Sequence, residues 1–160
     1  MDEMQLAREI RVARTDDASA IATLITLAYR VEDFFITGDR TDAADVKRLM
    51  QDGAFLVLEE DGLLVGAVYV KVRADSGYFG MLSVDPSRQG AGLGRRLIEA
   101  AEAWCHTAGC TEMEIEVVSL RTELPPFYRR LGYVLTGTRP FPDLHKSRIR
   151  CEFLVMRKEL

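Results

Sequence analysis

The chain is 160 residues long, 48% apolar and 29% charged, an ordinary globular balance that leaves no room for a long disordered tail and is enough to bury a core and a small-molecule site. Its formal net charge of −4 argues against a nucleic-acid groove, which needs a basic face, and mildly favours basic substrates. No run approaches the roughly 20 apolar residues of a membrane span, and residues 1–9 are acidic rather than a basic leader, so the expectation is one cytoplasmic domain over residues 1–160, with no membrane partner.

Residues 9–13 alternate apolar with polar and predict a first strand, and Thr15, Asp16 and Asp17 follow as helix-capping residues. A helix is expected from about Asp17 to Tyr29 or Arg30, with Ile21, Leu24, Ile25, Leu27 and Ala28 as its apolar stripe. Residues 31–40 read as a loop. Thr41 is the expected cap of a second short helix over 42–50, with acids in its first turn and Lys47 and Arg48 near its end, as the macrodipole prefers. Residues 54–59 and 63–72 are strand-like and meet at Asp61-Gly62, the pair best suited to a tight hairpin. A further turn at 74–77 leads to a strand at 78–84, so four antiparallel strands precede the most informative stretch of the chain.

That stretch is Asp85-Pro86-Ser87-Arg88-Gln89-Gly90-Ala91-Gly92-Leu93-Gly94-Arg95-Arg96, a turn with three alternating glycines that opens into an amphipathic helix. Glycines at alternate positions remove Cβ atoms, so successive N–H groups can converge on phosphate oxygens at a helix start, where the dipole is positive. Arg88, Arg95 and Arg96 add three cations in an otherwise acidic chain, which favours a polyanion such as a phosphate ester. The dinucleotide fingerprint fails, because Arg95 stands where its third glycine belongs and residues 85–89 separate the strand from the glycines. A Walker loop fails too, since Gly94-Arg95-Arg96 has neither the lysine nor the hydroxyl.

In the following helix Leu93, Leu97, Ile98, Ala101, Trp104 and Cys105 recur on one face, and Gly109 marks its exit. Residues 112–117 alternate so cleanly that one face is apolar and the other carries Glu112, Glu114 and Glu116, the pattern of a half-buried strand. Pro125-Pro126 stands at the mouth of a short helix over 127–131, closed by Gly132. Strands are expected at 133–138 and 149–157, with a proline-containing loop at 139–147 between them. Cys105, Cys110 and Cys151 form no C-x-x-C pair and, with two isolated histidines, make no metal site; they read as buried apolar residues.

The glycine segment resembles the acyl-CoA-binding motif of the GCN5-related N-acetyltransferase (GNAT) superfamily, Gln/Arg-x-x-Gly-x-Gly/Ala, with Gln89, Gly92 and Gly94 in place and Leu82-Ser83-Val84-Asp85-Pro86 like the family's fourth strand and exit turn. Residues 124–133, with Phe127-Tyr128 before Leu131-Gly132-Tyr133, are similar to its C-terminal motif. The resemblance implies a mixed α/β sheet of about seven mostly antiparallel strands with about four helices. It implies acetyl-CoA as co-substrate, held by Leu82, Val84, Gln89, Gly90, Ala91, Gly92, Leu93, Gly94, Arg95, Phe127 and Tyr128. The Leu82 N–H would face the acyl carbonyl, and Tyr128 would protonate the leaving sulfur. Phe127 and Leu131 read as core.

Some family members carry a glutamate on the fourth strand as base, where this chain has Tyr78. The carboxylates left for that role are Glu32, Asp33, Glu114 and Glu116, of which Glu116 is the candidate. In the family the acceptor side is built from the first two helices and the last inter-strand loop. Here those regions bring Tyr29, Phe34, Phe35, Phe141 and His145. The function implied is acetyl transfer from acetyl-CoA to a primary amine of a small molecule or peptide; a non-catalytic acyl-CoA sensor is the alternative, and a homodimer is compatible with either.

Overall fold

A computed structural model describes residues 9–142 and 146–160. His145 and residues 1–8 of the acidic leading segment therefore lie outside the described residues. The architecture is one seven-stranded sheet in the order β1-β2-β3-β4-β5-β7-β6 with two helices on each face, the mixed α/β arrangement expected. No helix among the described residues is long and apolar enough to cross a membrane.

The strands are β1 (Ile10–Val12), β2 (Ala54–Glu60), β3 (Leu63–Arg73), β4 (Ser76–Val84), β5 (Glu112–Val118), β6 (Val134–Pro140) and β7 (Glu152–Glu159). β2 and β3 pair antiparallel through a turn in which Asp61 and Gly62 both have positive φ (53° and 79°), the left-handed pair that matches strand twist. Phe55 and Val57 of β2 enter the core on one face and Leu56 and Leu58 that on the other, which is why the strand reads as a continuous apolar run.

α1 (Ala18–Ala28) and α2 (Ala43–Leu49) cover one face, with Ile21, Leu24 and Ile25 packed on Phe55, Val57 and Tyr69. Two capping expectations are corrected. Asp17 makes no side-chain cap on α1 itself but closes the capping box of the 3-10 turn Thr15–Asp17 that leads into it; its carboxylate accepts from Arg11 at 2.8 Å, the larger influence, and from Arg14 N at 2.7 Å, which hold its pKa down at about 2. Asp42, not Thr41, caps α2, its Oδ1 accepting from Asp45 N at 2.8 Å, while Thr41 Oγ1 donates to the Asp45 carboxylate. The segment read as a loop after α1 begins as a 3-10 turn, Tyr29–Glu32, and its Phe35 and Ile36 are buried.

α3 (Leu93–Thr107) and α4 (Leu124–Arg130) cover the other face. The stripe Leu93, Leu97, Ile98, Ala101 and Cys105 is fully buried against Val68, Val70 and Phe79. α4 starts earlier than expected, because the two prolines need no intrahelical N–H partner and sit inside its first turn. It ends in paired bonds from Gly132 N to Arg129 O (3.0 Å) and Tyr133 N to Tyr128 O (3.1 Å), with Gly132 at φ 101°. Phe127 and Leu131, assigned to the core, are only half-buried, whereas Tyr128 is buried. Cys105 and Cys110 are buried and Cys151 half-buried.

β5 departs from expectation on its acidic face. Glu114 is 7% exposed rather than solvated, because Arg139 of β6 and Arg157 of β7 lie over it. β5 pairs with β7 along its whole length but with β4, in parallel, only at Ser76–Glu112, Gly77–Met113 and Tyr78–Glu114. Beyond those three pairs the strands part.

Gly77 makes that short seam possible: a Cβ there would lie 2.8 Å from both Cβ and Sγ of Cys105 on α3. Gly77→Ala is expected to cost about 1–3 kcal/mol of stability. A denaturant midpoint equal to wild type would show that α3 can retreat from the sheet.

Candidate active site

The parted strands enclose a cavity of 660 Å³ that runs through the sheet from the glycine turn to the α1 side. β4 contributes Tyr78, Gly80, Met81, Leu82 and Val84, and β5 contributes Ile115, Glu116, Val117 and Val118. A bulge shapes the β4 wall, since β3 register jumps from Ala67–Ser83 to Tyr69–Gly80 and sets both Met81 and Leu82 against Val68. Met81 takes φ 51°, rare for a side-chain-bearing residue, and Ser83 Oγ donates to its carbonyl at 3.0 Å.

At one end lies the glycine turn. Asp85 fixes its entry, accepting at Oδ1 from Ser87 N (2.9 Å) and Ser87 Oγ (2.8 Å). Gly90 and Gly92 have φ of 87° and 77°, so glycine is required there by backbone handedness, and a Cβ on either would meet no protein atom within 4 Å. Gly92 is the N-cap of α3, and the first helical bond runs from Arg96 N to Gly92 O. The N–H groups of Leu93, Gly94 and Arg95 therefore have no helical acceptor. An open cradle of free N–H groups at the start of a 15-residue helix fits a pyrophosphate.

The arginines divide differently from expectation. Arg88 is committed to Glu60, which is nearly buried, at 2.8 Å, so it braces the turn. Arg95 lines the cavity and pairs with Glu99 one helical turn along, where both side chains are exposed. Of the sequence-predicted binding residues Leu82, Val84, Gln89, Gly90, Gly92, Leu93, Gly94, Arg95, Phe127 and Tyr128 all line the cavity, and Ala91 does not.

Tyr128, on α4, also lines the cavity. Its ring is wedged among Phe79 (6.1 Å), Phe127 (5.1 Å) and Tyr133 (5.8 Å), and the last is anchored by a 2.7 Å bond to Glu102. Its hydroxyl has no hydrogen-bond partner among the described residues. Burial pushes its pKa up to about 12. The phenol is thus neutral and able to donate.

The far end is mixed in charge. Glu32, 2% exposed, is clasped by Arg121 at 2.9 Å and Arg40 at 3.5 Å, and Arg40 stacks on Tyr29 at 5.1 Å. All four residues line the cavity. Among the candidate bases, Glu116 reaches the cavity with Arg139 3.5 Å away, Glu32 is tied to its arginines, Glu114 is covered, and Asp33 faces a separate small pocket. Of the expected acceptor-side aromatics Tyr29 lines the cavity, Phe34 is exposed, and Phe35 and Phe141 pack together in a core cluster. Arg40, Arg121 and Glu123 were not legible in the sequence, since they lie on irregular segments whose placement no periodicity reveals.

A family model described as an acetyltransferase (GNAT) domain matches residues 51–135, which span the hairpin strands, the glycine turn, α3 and α4. The chain belongs to the GNAT family. Within it, the chain is 37% identical over 82 residues to blasticidin-S acetyltransferase of Streptomyces morookaense, a match covering 51% of this chain and 59% of that one. It is 38% identical over 72 residues to a type 1 aminoglycoside N(6')-acetyltransferase of Stenotrophomonas maltophilia, covering 39% and 47%. The chain thus spans about half the length of the curated relatives it matches.

Similar solved folds include the ribosomal-protein-S18-alanine N-acetyltransferase of Escherichia coli (TM-score 0.77, 19% identity, 95% of this chain and 93% of that one). Another is yncA from Salmonella typhimurium, solved with its cofactor acetyl-CoA (TM-score 0.73, 23% identity, 96% and 94%).

Gly92→Val places a branched side chain at φ 77°, a strain on the order of 1–2 kcal/mol at the centre of the cradle. CoA affinity by calorimetry is expected to fall about tenfold or more, and Arg88→Ala to do less, because Arg88 is spent on Glu60. Unchanged affinity in Gly92→Val would move the phosphate site elsewhere.

Proposed function

We propose that this protein is an acetyl-CoA-dependent N-acetyltransferase acting on a primary amine of a small molecule or peptide. The observation that carries the reading is continuity: one cavity joins the glycine cradle, the β4 bulge, the buried phenol of Tyr128 and the carboxylate of Glu116. The coenzyme supplies an acetyl thioester. The residues that would hold it are the N–H groups of 93–95 for the pyrophosphate, with Val84, Leu82 and Phe127 along the arm.

The protein's part is positioning, charge stabilisation and proton handling. The Leu82 N–H, at the bulge, is assigned to the oxygen that gains charge as the amine attacks. Tyr128 gives its proton to the departing sulfur, and Glu116 takes one from the amine, directly or through water. The amine loses a proton, the thiol gains one, and the phenol is restored from solvent. Since Cys105 is buried in α3 with its pKa pushed up to about 12 by burial, no cysteine nucleophile is invoked.

One observation favours a second reading, an acyl-CoA sensor without turnover: Tyr78 occupies the strand position at which some family members carry a glutamate. Thiol release from acetyl-CoA across polyamines, aminoglycosides, amino acids and peptides, run beside CoA calorimetry, separates the two. Release with at least one amine is expected; tight binding with no release on any amine would favour the sensor.

Tyr128→Phe keeps the ring among its aromatic neighbours and removes the proton. Turnover is expected to fall ~10²-fold with acetyl-CoA affinity and melting temperature unchanged. Because burial holds the phenol neutral up to about 12, no alkaline loss of rate below that pH is assigned to it. A wild-type rate in Tyr128→Phe, under conditions where chemistry limits, would mean that water protonates the sulfur.

A further inference from the structure

β4 reaches the cavity with Leu82 and Val84 on the glycine-turn side of its bulge and with Gly80 and Tyr78 on the other side. The bulge draws Gly80 closer to Leu82 than two residues of regular strand would, and Tyr78 stands at the last position where β4 still pairs with β5. The Tyr78 side chain does not project away from the sheet but leans along the strand. A Cβ built on Gly80 would collide with Tyr78 Oη and lie 3.0 Å from Cζ, so the end of the phenol fills the place that a side chain at 80 would take. Arg73 holds the ring by its guanidinium 4.3 Å from the ring centre. The hydroxyl has no hydrogen-bond partner among the described residues. Burial first, and then the charge of Glu116, raises its pKa to about 12, so the group at the base of the cleft is neutral.

We infer that Tyr78, admitted by Gly80, is the stop that limits the acyl group handled at this site to acetyl size. The inference rests on the proposed coenzyme reading, in which the thioester lies between Leu82 and Tyr128. Whatever extends past the acyl carbon toward the base of the cleft meets the phenol within two strand residues. A methyl fits that interval; a longer chain has to displace a ring that is clamped from behind. Tyr78 is then a specificity-determining residue, and the glycine at 80 exists to let it lie flat.

The test is calorimetric titration of wild type and Tyr78→Ala with acetyl-CoA, butyryl-CoA and hexanoyl-CoA, with thiol release measured in parallel. Wild type is expected to bind hexanoyl-CoA at least tenfold more weakly than acetyl-CoA. In Tyr78→Ala the two affinities are expected to come within threefold, with acetyl-CoA itself little changed. Adding Gly80→Val to Tyr78→Ala refills the space and is expected to restore discrimination. If Tyr78→Ala does not fold, Tyr78→Leu, which keeps apolar bulk but cannot reach Gly80, takes its place. Equal affinities in wild type, or discrimination surviving in these variants, would overturn the inference while leaving the coenzyme reading intact. Failure of wild type to bind any CoA species would overturn that reading, and the inference with it.

Discussion

Three residue pairs between parallel strands, Ser76–Glu112, Gly77–Met113 and Tyr78–Glu114, join the two halves of the sheet, and the site exists because there are only three. Past Tyr78 the bulge at Met81 and Leu82 strengthens the twist of β4, while β5 stays in register with β7 through Val118. The strands diverge, and the backbone edges they would have offered each other face a cavity instead. Such a wedge needs a tight vertex and stiff arms. Gly77 lets α3 press onto the vertex, and the continuous cores on both faces of β2 and β3 stiffen one arm. β7, paired on both sides, stiffens the other.

Charge is then apportioned along the cavity by what each group is already bonded to. Arg88 sits in the glycine turn but is bound to Glu60, whereas the N–H groups at the start of α3 have no helical acceptor and Arg95 lines the same cavity. A fixed dipole holds a pyrophosphate in a defined place; an exposed arginine on a long side chain attracts it from a distance but orients it weakly. At the far end Glu32 is buried between Arg121 and Arg40 in an ion cluster, and Glu116 is the β5 carboxylate that lines the cavity. Two of the cavity phenols, Tyr78 and Tyr128, are kept neutral by burial, so the stretch beyond the glycine turn carries donors without adding charge.

The sequence by itself determined the local structure: apolar runs and their spacing, with capping residues, prolines and glycines, located the strands and helices, Asp61-Gly62 the hairpin, and the alternating glycines the turn that opens α3. These are readable because handedness and periodicity are properties of neighbouring residues. Even there the capping groups were misplaced, Thr41 for Asp42 and Asp17 on α1, because a side-chain oxygen goes to the strongest donor within reach, and Arg11 for Asp17 comes from a different element. Only the tertiary structure decided which charges are free. Arg88 against Glu60, Arg121 against Glu32, and Arg139 over Glu114 are pairings of residues 25 or more positions apart, and no local pattern encodes them. It decided too that Tyr78, which the sequence offers as a tyrosine where a glutamate was sought, lies along the strand across Gly80, for that depends on where β5 leaves β4 and on Arg73 behind the ring.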